Sequence, residues 1–520
     1  MQLSPVRLKK TFLTSLEKIV GPQGFSVGNI DRISYSRDSN FKSAIQFKYK
    51  KIEAFPDVVV WPSSVEDLSV LIKLAAKHQI PVIPFGGGSG VCGGTLPMGG
   101  GMIVDMKRMR KLLKLDAANL LVTAETGIMG MHLENELQRK GYTLGHFPSS
   151  IVCASLGGYL AARSAGQCSS RYGKIEDMVK NIEVVTGTGE VIQTRDVSNG
   201  EGIDLNSVFV GSEGTLGLIT KATLRIFPNP PARVFRGIRF ENMKTAIEGV
   251  RRVMQSGLKP AVIRLYDPLD TFLILSHSDA KKGGVMSLLI KPVLDFLHDG
   301  SLKAGLRLPR VLSFARHLLP SKCLLVLVNE GNERLAAEEQ KIILKIFEDL
   351  NGEDLGEDPA RAWFDHRYAV AYKASPLFMA GAFTDTMEVA TTWDKIELLY
   401  QTIKKAMSDK ALVMAHLSHV YTEGGSLYFT FVAPLKGLHA SEALYDQIWD
   451  KGMKACLKVG GVISHHHGIG RLKTKYMEGE WEKGLHFLEA FKELYDPYKI
   501  MNPGKLMPPN RVSEKQEAAA

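Results

Sequence analysis

Ser464-His-His-His-Gly-Ile-Gly-Arg471 is the most unusual string in this 520-residue chain. Three consecutive imidazoles can bind a metal, act as acid or base towards a reacting group, or donate to a phosphate. On an extended segment neighbouring side chains alternate faces, so His465 and His467 would share one side. A solvated cluster is the bland alternative, but Gly460-Gly461 before the string and Gly468-x-Gly470 after it favour a tight, structured turn. Arg264, in Ala-Val-Ile-Arg-Leu-Tyr-Asp, and Tyr428, in Gly-Gly-Ser-Leu-Tyr-Phe-Thr-Phe, are of types that hold anions and move protons. Taken alone, an arginine on a strand is more often an ion-pair residue. A tyrosine between Leu427 and Phe429 is more often core.

Glycine supplies the second kind of chemistry. Pro84-Phe-Gly-Gly-Gly-Ser-Gly-Val-Cys-Gly-Gly94 contains Gly88-x-Gly90-x-x-Gly93, a nominal dinucleotide fingerprint. That fingerprint must open a helix. Here Pro97 and Gly99–Gly101 forbid a long helix, and a strand-like Gly-Met-Ile-Val-Asp-Met follows. The loop still suits a pyrophosphate, because residues without side chains let backbone N–H groups converge on anionic oxygens. Two further segments are rich in glycine and serine, Pro148 to Gly173 and Gly211-Ser-Glu-Gly-Thr-Leu-Gly217. Such composition is costly in conformational entropy for a routine core. It fits backbone wrapped around a long, phosphate-bearing ligand.

The elements that must position these residues follow from periodicity. A short strand in Ala-Phe-Pro-Asp-Val-Val-Val-Trp-Pro ends at Pro62, and Ser64 with Asp67 signals a helix start. The stripe Val65, Leu68, Leu71, Ile72, Ala75 and Ala76 predicts that helix's buried face. Residues 119–230 add strands around a helix at 129–140. Residues 231–455 alternate strands with amphipathic helices at 243–256, 334–350 and 393–408. The domains expected are an N-terminal helical segment (1–53), a cofactor domain (54–230), a substrate cap (231–455), a C-terminal segment completing the site (456–507) and a disordered tail (508–520).

Composition narrows the classes. Hydrophobic residues at 45% and charged residues at 23% are ordinary for a globular chain. Five cysteines without CxxC spacing argue against a disulfide framework or cysteine–metal site. No apolar run reaches the ~18–20 residues that span a bilayer. The basic start carries Glu17 and lacks a cleavage site, so it reads as a helix of the mature protein, and a cytoplasmic location is expected. The net charge of +10 comes without a nucleic-acid motif, so an anionic cofactor, anionic substrate or lipid surface is favoured over nucleic acid. The stretch 281–322 holds eight Lys or Arg against two Asp, with apolar residues such as Leu288, Leu294 and Leu318 between them. It is expected to touch a membrane peripherally. A homodimer is compatible with this reading.

The order of these motifs resembles the FAD-binding domain of the vanillyl-alcohol-oxidase (PCMH-type) superfamily, and Asp496-Pro-Tyr-Lys-Ile-Met-Asn-Pro-Gly-Lys505 resembles its C-terminal signature. The resemblance covers roughly residues 50–507. It implies an α+β fold, a PCMH-type FAD-binding domain with an α/β substrate cap and a C-terminal return. By resemblance the FAD contacts are Pro84, Gly86, Gly87, Gly88, Ser89, Gly90, Pro148, Ser149, Ser155, Leu156, Gly157, Gly158, Ser164, Gly166, Gln167, Tyr172, Gly173, Glu213, Gly214, Ile219 and Asn502. Ser89 stands where some members carry a flavin-linking histidine, which implies noncovalent FAD.

Within that superfamily the histidine string, Gly-Tyr-Thr-Leu-Gly-His-Phe-Pro-Ser-Ser150, Arg264 and Tyr428 resemble the alkyldihydroxyacetonephosphate synthase family. The resemblance implies exchange of the acyl group of acyl-dihydroxyacetone phosphate for a long-chain alcohol, with a lipid-like, anionic substrate and no metal. Tyr428, with its pKa lowered by the histidines, would take a proton from the carbon bearing the acyl group. His465, His466, His467 and Arg264 complete the implied catalytic set. Lys373 and Ala374 depart from that family's arginine motif. The alternative is a D-2-hydroxy-acid oxidoreductase. Glu423-Gly-Gly425 replaces the GDGN-type motif of that branch and counts against it, and His416 and His419 beside it have no assigned role.

Overall fold

Val58–Val60 is buried at every position, and in the computed structural model it lies parallel to Met102–Asp105, which pairs in turn with Val82–Phe85. Phe25–Ser26 closes the other edge of this four-stranded sheet in antiparallel sense. The structure describes residues 7–195, 203–274, 322–369 and 374–508, and these fall into two compact units. The first unit holds residues up to Gly166, Gly173–Asn229 and the chain from His466 onward. The second holds Gln167–Tyr172 and Pro230–His465. The dividing point within the histidine string lies between His465 and His466.

In the first unit the helix Val65–His78 starts where expected, with Ser64 Oγ accepting the Asp67 N–H at 3.1 Å. The reciprocal bond goes one residue upstream, from Ser63 N–H to the Asp67 carboxylate at 3.3 Å. Leu68, Leu71, Ile72, Ala75 and Ala76 are buried and pack with Phe12 and Leu16 of the helix Lys10–Val20. No helix intervenes between Phe85 and Met102, as the proline and glycines required. A second, antiparallel sheet has the order Leu112–Asp116, Leu121–Glu125, Gly217–Arg225, Val179–Thr186, Val191–Gln193. The C-terminal return reaches the first sheet: Val82 N–H donates to Ile500 O and Asn502 N–H to Val82 O, both at 2.8 Å. Asp496 holds that turn by accepting from the N–H groups of Ile500 and Met501.

The second unit is built on a seven-stranded antiparallel sheet. Its order is Glu353–Asp354, Ala232–Phe240, Cys323–Gly331, Val262–Tyr266, Leu412–Val420, Gly424–Pro434, Ala382–Thr392. The helices Met243–Gln255, Glu333–Glu348, Ile396–Met407 and Leu438–Val459 bury apolar stripes, such as Ala246, Ile247, Val250, Val253 and Met254. Among the described residues no helix is long and apolar enough to cross a membrane. The expected membrane contact at 281–322, apart from Lys322, lies outside the described residues, as do Lys373 and the tail from 509.

Candidate active site

The glycine loop of the first unit leaves the strand Val82–Phe85 with Gly88 in the left-handed region at φ 65°. A Cβ on Gly87 would stand 1.5 Å from the Cys153 carbonyl oxygen, and one on Gly86 2.2 Å from Ser155 Oγ. Glycine is therefore demanded by the close approach of the second glycine-rich segment to the first. Several of the loop's carbonyls are engaged by neighbouring residues. Ser39 N–H donates to Gly90 O at 2.9 Å, Ser39 Oγ to Gly88 O at 3.1 Å, and Asn40 Nδ2 to Val91 O at 2.9 Å. Lys107 Nζ donates to Gly86 O at 2.9 Å. The N–H groups of Gly87, Gly88, Ser89 and Gly90 donate to no described residue. Four neighbouring donors without partners among the described residues, in a largely half-buried loop, fit an anionic group such as the FAD pyrophosphate.

Other expected contacts converge on this unit by specific bonds. Ser155 Oγ caps the helix Leu156–Ala162 by accepting the Gly158 N–H at 3.2 Å. The Leu156 and Gly157 N–H groups donate to Ile128 O and Thr126 O, and Thr126 Oγ1 donates to Ile219 O. Ser164 Oγ lies 2.8 Å from His146 Nε2. Gly166 abuts the Phe147 backbone, Gly173 the Asp177 carboxylate and Gly214 the Pro84 ring. Pro148 is buried and Ser149 half-buried at the head of the second segment. Asn502 Nδ2 bridges Gly94 O and Glu213 O at 3.0 and 2.7 Å. Glu213 is committed inward: its carboxylate accepts the Ile469 and Gly470 N–H groups at 2.5 and 2.8 Å. Burial pushes its pKa up against those two bonds. It thereby pins the chain immediately after the histidine string.

Gln167 and Tyr172 belong to the second unit and are bonded within it. Gln167 Nε2 donates to Arg367 O at 3.0 Å, and the Tyr172 hydroxyl donates to Glu330 at 2.6 Å. Burial, with the Glu330 charge, pushes the Tyr172 pKa up.

Strand register assembles the chemistry of the second unit. Tyr266 opposes His416, His416 opposes Tyr428, and Tyr428 opposes Glu388, so four side chains form one row across four strands on one face. Arg264, two residues before Tyr266, shares that face. Its Nη2 lies 2.7 Å from His416 Nε2, and its guanidinium carbon lies 5.4 Å from the Trp363 ring centre. The His416 and Tyr428 rings stack with centres 4.9 Å apart. Tyr428 is pushed up to about 12, first by burial and then by Asp385 and Glu388, against the Thr386 hydrogen bond and Arg264. The expectation of a lowered tyrosine pKa is thus reversed, because desolvation and two carboxylates outweigh the Thr386 hydrogen bond and one guanidinium.

The histidine string is not an extended strand. The His466 and His467 rings meet edge to face with centres 4.5 Å apart, which strand alternation would prevent. His465 is tied down by Glu388, which accepts the His465 N–H at 2.6 Å and the Ser464 hydroxyl at 2.8 Å. Its ring lies 5.6 Å from His419 and 5.5 Å from Tyr421. Tyr421 donates to Ser169 Oγ, which lies 2.8 Å from His419 Nδ1. His416, Glu388, Ser169 and Lys107 are the positions that sequence reasoning did not place in the site. Of these, His416 alone was singled out by the sequence, with His419, beside Glu423-Gly-Gly425.

The chain matches two family profiles and resembles several known proteins. The profile of FAD linked oxidases, C-terminal domain, matches residues 229–506, and that of an FAD binding domain matches residues 56–195. The alkyldihydroxyacetonephosphate synthase of Dictyostelium discoideum is 29% identical over 531 residues, 99% of this chain and 84% of that protein. A solved alkyldihydroxyacetonephosphate synthase superposes with a TM-score of 0.75 at 27% identity, covering 97% of this chain and 86% of that one. p-Cresol methylhydroxylase with substrate bound, at 15% identity, TM-score 0.71 and coverage of 98% and 99%, shares the fold. With that C-terminal profile matched over more than half of its length, the chain belongs to the family of FAD linked oxidases.

Proposed function

We propose that this chain acts as an alkyldihydroxyacetonephosphate synthase, replacing the acyl group of acyl-dihydroxyacetone phosphate with a long-chain alcohol without net oxidation. The observation that carries this reading is the row Tyr266, His416, Tyr428 and Glu388 with Arg264 against it, a proton-handling phenol beside a fixed cation. FAD, held by the Gly87–Gly90 N–H groups, supplies a reversible electron sink for the reacting carbon. Tyr428 takes a proton from the carbon bearing the acyloxy group and later returns it. The carbon–oxygen bond to the acyl group breaks and the fatty acid leaves as carboxylate. The alcohol oxygen forms the replacement bond and gives up its proton. Arg264 pairs with an anionic oxygen of the substrate through parallel N–H bonds. His465, fixed through Glu388, and His466 and His467 hold the leaving carboxylate or the phosphate.

The test is a single incubation of FAD-loaded protein with acyl-dihydroxyacetone phosphate and labelled hexadecanol. Label appearing in alkyl-dihydroxyacetone phosphate, with an equal amount of fatty acid released and no lasting flavin bleaching, supports the reading. Bleaching by anaerobic D-lactate or glycolate, with no exchange, would replace it with oxidation of a D-2-hydroxy acid.

A further inference from the structure

His416 stands at the centre of the row and is engaged on every side. Its ring stacks on Tyr428 and lies 5.2 Å from that of Tyr266. Its Nε2 is 2.7 Å from Arg264 Nη2, and its Nδ1 is 3.3 Å from Asp270 Oδ2. A guanidinium can only donate. Nε2 therefore accepts, and the neutral ring carries its proton on Nδ1, directed at Asp270. The charged and titratable groups facing the ring are Arg264, Asp270, Asp267, Tyr266 and Tyr428. Burial and the Arg264 charge hold His416 below the usual histidine range, against the two aspartates. Arg264 Nε is buried without a hydrogen-bond partner among the described residues, a donor waiting for an acceptor.

We infer that His416 is a positioning residue for anion binding: by accepting from Arg264 Nη2 and being oriented by Asp270, it fixes the guanidinium so that its remaining N–H groups face the substrate's anionic group. The inference rests on the proposed role of Arg264. It has a consequence that packing alone does not. A proton on Nε2 would set two donors against each other at 2.7 Å, so Arg264 would have to turn away and anion affinity would fall on acidification.

The experiment compares FAD-loaded wild type, His416→Phe, His416→Gln and Arg264→Met. It measures the Kd for dihydroxyacetone phosphate by calorimetry, and kcat and KM for acyl-dihydroxyacetone phosphate across pH. Phenylalanine keeps the ring against Tyr428 but has no acceptor. Loss of a hydrogen bond to a charged group is expected to raise Kd and KM about tenfold or more, with KM changing more than kcat. Glutamine can place an amide oxygen near the Nε2 position. It should recover most of that affinity and make the acid limb of kcat/KM less steep by one proton, because the amide does not titrate while Tyr428 still does. Wild-type Kd and an unchanged acid limb in His416→Phe would overturn the inference. If Arg264→Met itself leaves Kd unchanged, the anion role of Arg264 fails instead, which is a separate result. Should His416→Phe lose FAD or its near-ultraviolet dichroism, the acid limb of His416→Gln decides: less steep by one proton supports the inference, unchanged overturns it.

Discussion

Tyr428 carries the sharpest consequence at the scale of one residue. The phenol is pushed up to about 12, so only a small fraction is ionised in the free enzyme at neutral pH. If it is the base, kcat/KM should climb with pH through the neutral and alkaline range without a plateau, since that ratio reports the free enzyme's groups. Tyr428→Phe should lower kcat by ~10²–10⁴-fold while FAD stays bound, as expected for loss of a positioned base. Stopped-flow turnover beside the flavin spectrum checks both. His146 makes a stability prediction. Burial is the main force lowering its pKa from 6.5 to about 3, so the folded state keeps it neutral while the unfolded chain protonates it. The contribution is present above pH 6.5 and is lost as pH falls towards 3, by up to ~1.4 kcal/mol per pH unit. Urea titrations at pH 7 and pH 5 should show wild type losing ~2 kcal/mol more than His146→Gln over that interval.

At the scale of the element, the glycine loop and one β-bulge decide the site. Gly87→Ala forces a Cβ to 1.5 Å from the Cys153 carbonyl, and backbone on both sides must move. Overpacking of this kind costs about 1–3 kcal/mol, and here it displaces the loop's N–H groups themselves. The variant should melt lower and carry less flavin per mole, whereas Gly99→Ala, with nothing within 4 Å of its Cβ, should match wild type in both. The bulge lies between Leu417 and His419. Counted back from the Val420–Gly425 pair without it, Leu417 would oppose Tyr428 and His416 would turn to the other face. Periodicity gave the helices near 243–256, 334–350 and 393–408 but not Leu438–Val459, and a one-residue shift inside a hairpin leaves no mark in an alternating pattern.

Two expectations belong to the molecule as a whole. Purified protein should be yellow, and acid or heat should release its FAD into solution, because Ser89 offers no imidazole for a flavin bond. Flavin that stays with the acid precipitate would contradict this. The basic, apolar stretch 281–322 is proposed to meet a lipid surface, since the proposed acyl substrate and alcohol are membrane lipids. Each basic residue near an anionic surface adds ~1 kcal/mol, so binding should weaken steeply with salt. Cosedimentation with anionic vesicles should be strong at low salt and reduced in Leu318→Asp. Equal binding by both proteins would remove the segment from that role.

Residue types and their order along the chain determined the cofactor. Glycine triplets after a strand, serine-rich turns and the Asp496–Lys505 ending are local backbone requirements, and a local requirement is written in the local sequence. The Ser64 cap and the buried stripe of Val65–His78 were legible for the same reason. Only the tertiary structure decided which side chains meet. Glu213 binds the backbone at Ile469 and Gly470, Tyr172 binds Glu330, and His416 sits between Arg264 and Tyr428. The Glu213 and Tyr172 bonds and the His416–Arg264 contact each join residues more than 150 positions apart, and strand register and burial fix them. Burial also reversed the sign of the Tyr428 shift. Desolvation depends on what surrounds a group in space, and the residues beside it in the chain do not specify that.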